Sequence, residues 1–197
     1  MRLPESPRGA AVVAHPHPLH GGTMHTKVVH RAARLLSDRF SLAALRFNFR
    51  GVGASQGVHD EGRGEVEDVA AAARWMRNEV PAGPFVLGGF SFGSLAALGA
   101  AALGAGEAWR PTALLLIGLP LRRWSVPDAA PVTCPVAWIQ GADDEFADAG
   151  SARVLAERWG WDLRVVPGAD HFFTDRLDAF EAEAGDAIGR LLAGGAP

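Results

Sequence analysis

The stretch Phe85-Val86-Leu87-Gly88-Gly89-Phe90-Ser91-Phe92-Gly93 joins an apolar run to an Ala/Leu-rich segment through a serine between two glycines. The pattern G-x-S-x-G between a strand and a helix is typical of a sharp turn that exposes a nucleophilic serine at the carboxyl end of a sheet. Glycines on either side let the strand and the helix approach closely. The amide of Phe92, at the helix N-terminus, would then stabilise an oxyanion. The same pentapeptide also occurs by chance, as an ordinary turn, in a chain with 24 glycines.

Short apolar runs alternate with helical patterns on both sides of this turn. The predicted strands are residues 10–14, 42–49, 85–89, 112–117, 135–140 and 163–166. The predicted helices are residues 27–40, 65–80, 94–103, 149–159 and 176–192. Strands that are apolar on both faces and separated by helices indicate a parallel sheet that is covered on both sides. No repeat or linker divides the sequence, so residues 1–197 are predicted to form a single α/β domain.

Two later motifs follow strands in the order that a serine-based triad requires on such a sheet, which is serine, acid and histidine. Gly141-Ala142-Asp143-Asp144-Glu145 follows one predicted strand, and a loop that contains His171 follows the next. His171 is the only histidine after Ser91, so it is the candidate base. An acid after a strand is often only a turn former, and a lone histidine is often structural. Three unrelated motifs at three strand ends in the required order nevertheless favour a triad.

Composition and charge argue against several other classes of protein. The formal net charge is -3 and no polybasic patch occurs, which argues against nucleic-acid binding. Cys134 is the only cysteine, so no disulfide can form within the chain. The apolar stretch at residues 113–121 is too short to span a bilayer, and residues 1–8 lack the apolar core of a signal peptide. We therefore expect a cytoplasmic protein that does not bind membranes.

Five histidines between residues 15 and 30 raise the hypothesis of a metal-dependent hydrolase. The D-H pair that follows H-x-H in binuclear hydrolases is absent and no acid lies nearby, so we expect no metal.

A loop after the first parallel strand usually supplies the second oxyanion amide. Because proline has no N–H, Pro16 and Pro18 cannot donate a hydrogen bond. His17 is the predicted donor, and Leu19 is the second candidate. The Gly51-Val52-Gly53 segment lacks the remaining residues of a phosphate-binding loop.

From about residue 10 onward, the sequence resembles the lidless bacterial α/β-hydrolases related to dienelactone hydrolases. The resemblance is carried by residues 15–24 (HPHPLHGGTM), 46–55 (RFNFRGVGAS), 88–93 (GGFSFG), 140–145 (QGADDE) and 171–173 (HFF). It implies an α/β-hydrolase fold and a serine esterase that cleaves a small carboxylic ester without a cofactor. The family's G-x-x-D motif points to Asp144 rather than Asp143. Family members usually begin with an antiparallel hairpin, for which the residues before the first strand leave little room, so the sheet edge is expected to lack that protection.

The predicted machinery consists of Ser91 as nucleophile, His171 as base and Asp144 as the acid that orients it, with the amides of Phe92 and His17 holding the oxyanion. The alternative is a non-catalytic binding protein on the same fold, which would be expected to lack a triad member.

The connection at residues 118–134 contains three prolines, which preclude a long helix and hence a helical lid. We therefore predict an open, shallow site. Trp124, in the same connection, is a candidate for contact with the substrate.

Overall fold

A computed structural model describes residues 1–123 and 130–194. Its centre is a six-stranded sheet in the order β2-β1-β3-β4-β5-β6, and every neighbouring pair of strands is parallel. The strands are β1 (Gly9–Ala14), β2 (Leu42–Arg46), β3 (Phe85–Phe90), β4 (Ala113–Ile117), β5 (Val136–Gly141) and β6 (Asp162–Val166). The helices are α1 (Lys27–Phe40), α2 (Arg63–Glu79), α3 (Phe92–Leu103), α4 (Ala149–Trp159) and α5 (Leu177–Leu192). The predicted fold class is confirmed.

The helices cover both faces of the sheet because most strand residues are apolar on both sides. Helices α1 and α5 pack on one face, where Leu36 and Phe180 are fully buried. Helices α2, α3 and α4 cover the opposite face, with Met76 and Trp138 in its core. Burial of both faces explains why β1, β3, β4 and β5 contain almost no polar residue.

Most predicted boundaries lie within one or two residues of the observed ones, but the predicted strand 42–49 is too long. Strand β2 ends at Arg46, and the chain then leaves the sheet. Beyond that point Asn48 accepts a hydrogen bond from the amide of Met24, and the amide of Phe49 donates to His15 Nε2. Phe49 is fully buried in this loop, so its apolar character reflects burial without strand pairing.

The edge of the sheet at β2 retains one point of protection. The amide of Arg2 donates to the carbonyl of Ala44, and the amide of Ala44 donates to the carbonyl of Arg2, both at 2.9 Å. This is a single antiparallel bridge. The N-terminal residues therefore cover part of the edge that was expected to be unprotected.

The strand order changes direction between β1 and β3. In open α/β sheets the crevice outside the carboxyl ends of strands at such a switch point is the usual ligand site. The turn at Ser91 and the loop at His17 follow β3 and β1, so both reach this crevice.

In the part of the chain that the structure describes, no helix combines the length and the apolar character needed to cross a membrane.

Candidate active site

The turn after β3 holds Ser91 in a strained backbone conformation, with φ of 57° and ψ of -122°. A serine with positive φ is uncommon, and such strain persists only where the surrounding structure enforces it. A Cβ atom at Gly89 would overlap the carbonyl of Gly93, and one at Gly93 would overlap the carbonyls of Ala14 and His15. The two glycines of the motif are therefore required by the close approach of β1, β3 and α3.

The structure brings Ser91, His171 and Asp144 together in one hydrogen-bonded series. His171 Nε2 lies 2.9 Å from Ser91 Oγ, and His171 Nδ1 lies 2.7 Å from Asp144 Oδ2. Asp144 and His171 are both buried. Asp143 is exposed, and its amide donates to the carbonyl of Ala169. Such a series of nucleophile, base and orienting acid is the arrangement that activates a serine hydroxyl.

Two further donors hold the carboxylate of Asp144. Gln140 Nε2 donates to Oδ2 at 2.6 Å, and the amide of Phe146 donates to Oδ1 at 2.7 Å. Gln140 is itself oriented, because its Oε1 accepts a hydrogen bond from Trp138 Nε1 at 2.9 Å. No role for Gln140 was predicted from the sequence. A single polar residue in an otherwise apolar buried strand was the signal that could have found it.

Comparisons with known proteins identify the family and the fold. Residues 19–107 match a family described as alpha/beta hydrolase fold. An uncharacterised protein of Rickettsia prowazekii is 35% identical over 191 residues, which cover 90% of this chain and 77% of that protein. A crystal structure from Xanthomonas campestris, described as an α/β serine hydrolase without a lid, is 36% identical with a TM-score of 0.84, and the match covers 99% of this chain and 88% of that one. The chain belongs to the lidless bacterial α/β-hydrolases.

A second solved structure is also described as a serine hydrolase. An alpha-beta serine hydrolase homologue from Coxiella burnetii is 32% identical with a TM-score of 0.80, and the match covers 93% of this chain and 88% of that one. The resemblance found in the sequence motifs is thus confirmed at the level of the family and the fold.

The two predicted oxyanion donors of the hydrolase both line the cleft at Ser91. Within residues 1–123 and 130–194, the amides of Phe92 and His17 have no hydrogen-bond acceptor. The amide of Leu19, the second candidate, donates to His17 Nδ1 at 3.2 Å. Leu19 is therefore engaged within its own turn, whereas Phe92 and His17 remain available to a ligand.

The histidines of the first loop have separate environments. His15 is fully buried, where its Nδ1 contacts the carbonyl of Pro16 at 2.7 Å and its Nε2 accepts from the amide of Phe49 at 3.1 Å. Burial lowers the pKa of His15, so the neutral ring joins the loops that follow β1 and β2. His25 and His30 are exposed. No group of three or more metal-ligating side chains is assembled among the residues described.

The cleft of the hydrolase has a volume of about 890 Å³. This volume lies within the usual range of small-molecule pockets, about 300–1,000 Å³. The loops after β1 and β2 contribute His17, His59 and Gly62 to its walls. Phe146 and Phe172 border His171 with ring centroids 4.6 and 5.3 Å away. Trp124, predicted to contact the substrate, lies outside the described residues.

Proposed function

We propose that this hydrolase is a carboxylesterase that cleaves small or accessible carboxylic esters through a Ser-His-Asp acyl-enzyme mechanism. The observation that carries the proposal is the hydrogen-bonded series from Ser91 Oγ through His171 to Asp144, with separations of 2.9 and 2.7 Å. The family supports hydrolysis in general, and the ester preference is our own inference from a serine nucleophile beside a cleft of small-molecule size.

In the first half of the reaction, the Asp144 carboxylate accepts the hydrogen bond of His171 Nδ1–H, so that Nε2 is free to accept a proton. Ser91 Oγ attacks the ester carbonyl carbon while its proton passes to His171 Nε2. The carbonyl oxygen becomes an oxyanion, which the amides of Phe92 and His17 bind. The carbonyl then reforms, the bond to the alcohol oxygen breaks, and His171 returns the proton to the departing alcohol.

In the second half, a water molecule replaces the alcohol. His171 Nε2 removes a proton from this water as it attacks the acyl carbon, and the resulting oxyanion uses the same two amides. Collapse of the intermediate releases the acid and returns the proton to Ser91. Each step moves protons only between Ser91, His171, water and substrate, so the proposed mechanism requires no metal or cofactor.

The alternative of a non-catalytic binding protein explains the site less well. A serine at φ of 57° carries a strain of about 1–3 kcal/mol. The buried Asp144–His171 pair adds a desolvation cost that simple binding does not require. A protein that only binds could dispense with both features, whereas a nucleophile needs them.

The test is covalent labelling with a fluorophosphonate probe, together with turnover of a p-nitrophenyl ester. We expect labelling of the wild type and of Ser151→Ala, a control on the exposed side of α4, and no labelling of Ser91→Ala. Turnover by Ser91→Ala should fall on the order of a million-fold, because the triad acts as a unit. Near-normal turnover by this variant would refute the proposal, and loss of wild-type turnover with a chelator would favour a metal-dependent hydrolase.

A further inference from the structure

A second carboxylate–imidazole pair lies in the wall of the same cleft, where the β2–α2 connection meets the first turn of α2. His59 Nδ1 lies 2.8 Å from Glu65 Oε1. Glu65 is fully buried, and its carboxylate also accepts hydrogen bonds from the amides of Asp60 at 3.0 Å and Gly62 at 2.8 Å. The side chain of His59 is 12% exposed, and the residue lines the cleft that contains Ser91.

The hydrogen bonds of Glu65 determine which atom His59 offers to a ligand. Burial opposes ionisation of Glu65, but the hydrogen bonds from the amides of Asp60 and Gly62 outweigh it, so the pKa of Glu65 lies below its usual value. An ionised carboxylate only accepts, which places a proton on His59 Nδ1. Nε2, on the side of the ring away from Glu65, is then an acceptor in the neutral imidazole. It has no hydrogen-bond partner among the described residues.

In the neighbouring imidazole of His17, the proton of the neutral ring is on the other nitrogen, Nε2. Its Nδ1 accepts a hydrogen bond from the amide of Leu19, so the proton of the neutral ring is on Nε2. Burial, together with the nearby His20 and His59, lowers the pKa of His17 and favours that neutral form. The cleft wall therefore presents a donor from His17 next to an acceptor from His59.

These two rings are close to each other and to the proposed oxyanion site. The centroids of the His17 and His59 rings are 5.0 Å apart. Both rings pack against Phe92, at centroid distances of 4.9 and 5.7 Å. The amide of Phe92 is one of the proposed oxyanion donors, so a group held between the two imidazoles would lie near the ester carbonyl.

The charges around the cleft do not favour an anion at this position. The charged side chains that line the cleft include one cation, Arg123, and one anion, Glu61. Glu65 adds a buried negative charge directly behind His59. A neutral group that can both donate and accept a hydrogen bond fits this environment better than a carboxylate or a phosphate. A hydroxyl group is the simplest such group.

We propose that His17 and His59, with Glu65 orienting His59, form a subsite that recognises a hydroxyl group close to the scissile ester. The substrate hydroxyl donates to His59 Nε2 and accepts from His17 Nε2–H. The inference rests on the proposed esterase function and specifies its substrate class. The hydroxyl belongs either to the acyl group or to the alcohol group of the ester, and matched substrates separate these two sources.

The test compares the ratio of kcat/KM within two pairs of esters. One pair is p-nitrophenyl 3-hydroxybutyrate and p-nitrophenyl butyrate, with the hydroxyl on the acyl group. The other is glyceryl monobutyrate and propyl butyrate, with hydroxyls on the alcohol. In one of the two pairs, we expect the wild-type kcat/KM for the hydroxylated ester to be about tenfold higher than for its partner. One or two neutral hydrogen bonds contribute a difference of that size. The pair that shows the preference identifies the source of the hydroxyl.

Two substitutions at His59 separate ligand recognition from a purely structural contact with Glu65. His59→Asn keeps an amide that reaches Glu65 at the position of Nδ1 but places nothing at Nε2. His59→Gln places a polar group at the position of Nε2. We expect the preference to fall to about one in His59→Asn, through a higher KM for the hydroxylated ester, and to persist in part in His59→Gln. His25→Asn, on an exposed histidine outside the cleft, should keep the wild-type ratio.

Each contrary result has a separate meaning, and thermal melting of every variant accompanies the kinetics. Equal kcat/KM within both pairs for the wild type would overturn the subsite and leave the esterase function intact. If His59→Asn keeps the wild-type preference for the hydroxylated ester, His59 serves only as a hydrogen-bond partner of Glu65. That result also overturns the subsite. A stronger preference for p-nitrophenyl hemisuccinate would show that the imidazoles bind an anion instead. No turnover of any ester would refute the proposed function, and this inference with it.

Discussion

Replacing Asp144 by asparagine tests the proposed mechanism through the hydrogen-bond pattern of one side chain. The Asp144 carboxylate accepts from Gln140 Nε2 and His171 Nδ1 on Oδ2, and from the amide of Phe146 on Oδ1. Asparagine offers an acceptor at only one of these two positions. The backbone amide of Phe146 cannot change its role, so the asparagine oxygen is expected to face it. The NH₂ group of the variant then faces His171.

This orientation reverses the protonation of the imidazole. An NH₂ group donates to His171 Nδ1, which moves the proton of the neutral ring to Nε2, where it prevents acceptance of the Ser91 proton. Gln140 cannot compensate by turning its amide, because its oxygen is held by Trp138 Nε1. For a triad, the loss from the wrong tautomer is about 10⁴ in kcat. That factor corresponds to about 5 kcal/mol in the activation free energy.

The assay is the kcat for hydrolysis of p-nitrophenyl acetate, with thermal melting as a check on folding. Asp143→Asn is the matched control, because Asp143 is the adjacent residue but is exposed. We expect the control to retain most of the wild-type activity. Equal losses in the two variants, or retention of more than about a tenth of the activity by Asp144→Asn, would refute the tautomer argument.

Two further predictions concern stability and substrate length. Burial lowers the pKa of His15, so the unfolded chain takes up a proton that the folded state does not, and the free energy of unfolding should fall as the pH drops below about 6.5. Urea unfolding between about pH 5 and pH 8 checks this, and an equal pH dependence in His15→Gln would contradict it. Since a methylene contributes about 0.8 kcal/mol only where walls bury it, kcat/KM should favour p-nitrophenyl acetate and butyrate over long-chain esters, without activation at a lipid interface. A steady increase to long acyl chains would contradict the open, lidless cleft.

Local sequence patterns were sufficient to determine the fold. The alternation of buried strands with helices predicts a parallel sheet, because a strand that is apolar on both faces needs cover on both. Glycines at positions 89 and 93 are a steric requirement of the sharp turn, which any sequence for that turn must meet. The order of Ser91, the acid and His171 followed from the strand ends. All three residues lie at the strand ends where the sequence predicted them. Their catalytic roles stay predictions until turnover is measured.

Features that depend on contacts between distant segments were not accessible from the sequence. The prediction that the strand continues to Phe49 was wrong, because apolar spacing does not distinguish strand pairing from burial in a loop. Even the local contact between Gln140 and Asp144, which are four residues apart, depends on the conformation of the turn after β5, and the residue pattern does not reveal that conformation. His59 joins His17 at the cleft because the loops that follow β2 and β1 meet at the carboxyl edge of the sheet. Hydrophobic periodicity describes which residues are buried, but the direction of a hydrogen bond between two loops is decided only when the tertiary structure brings donor and acceptor together.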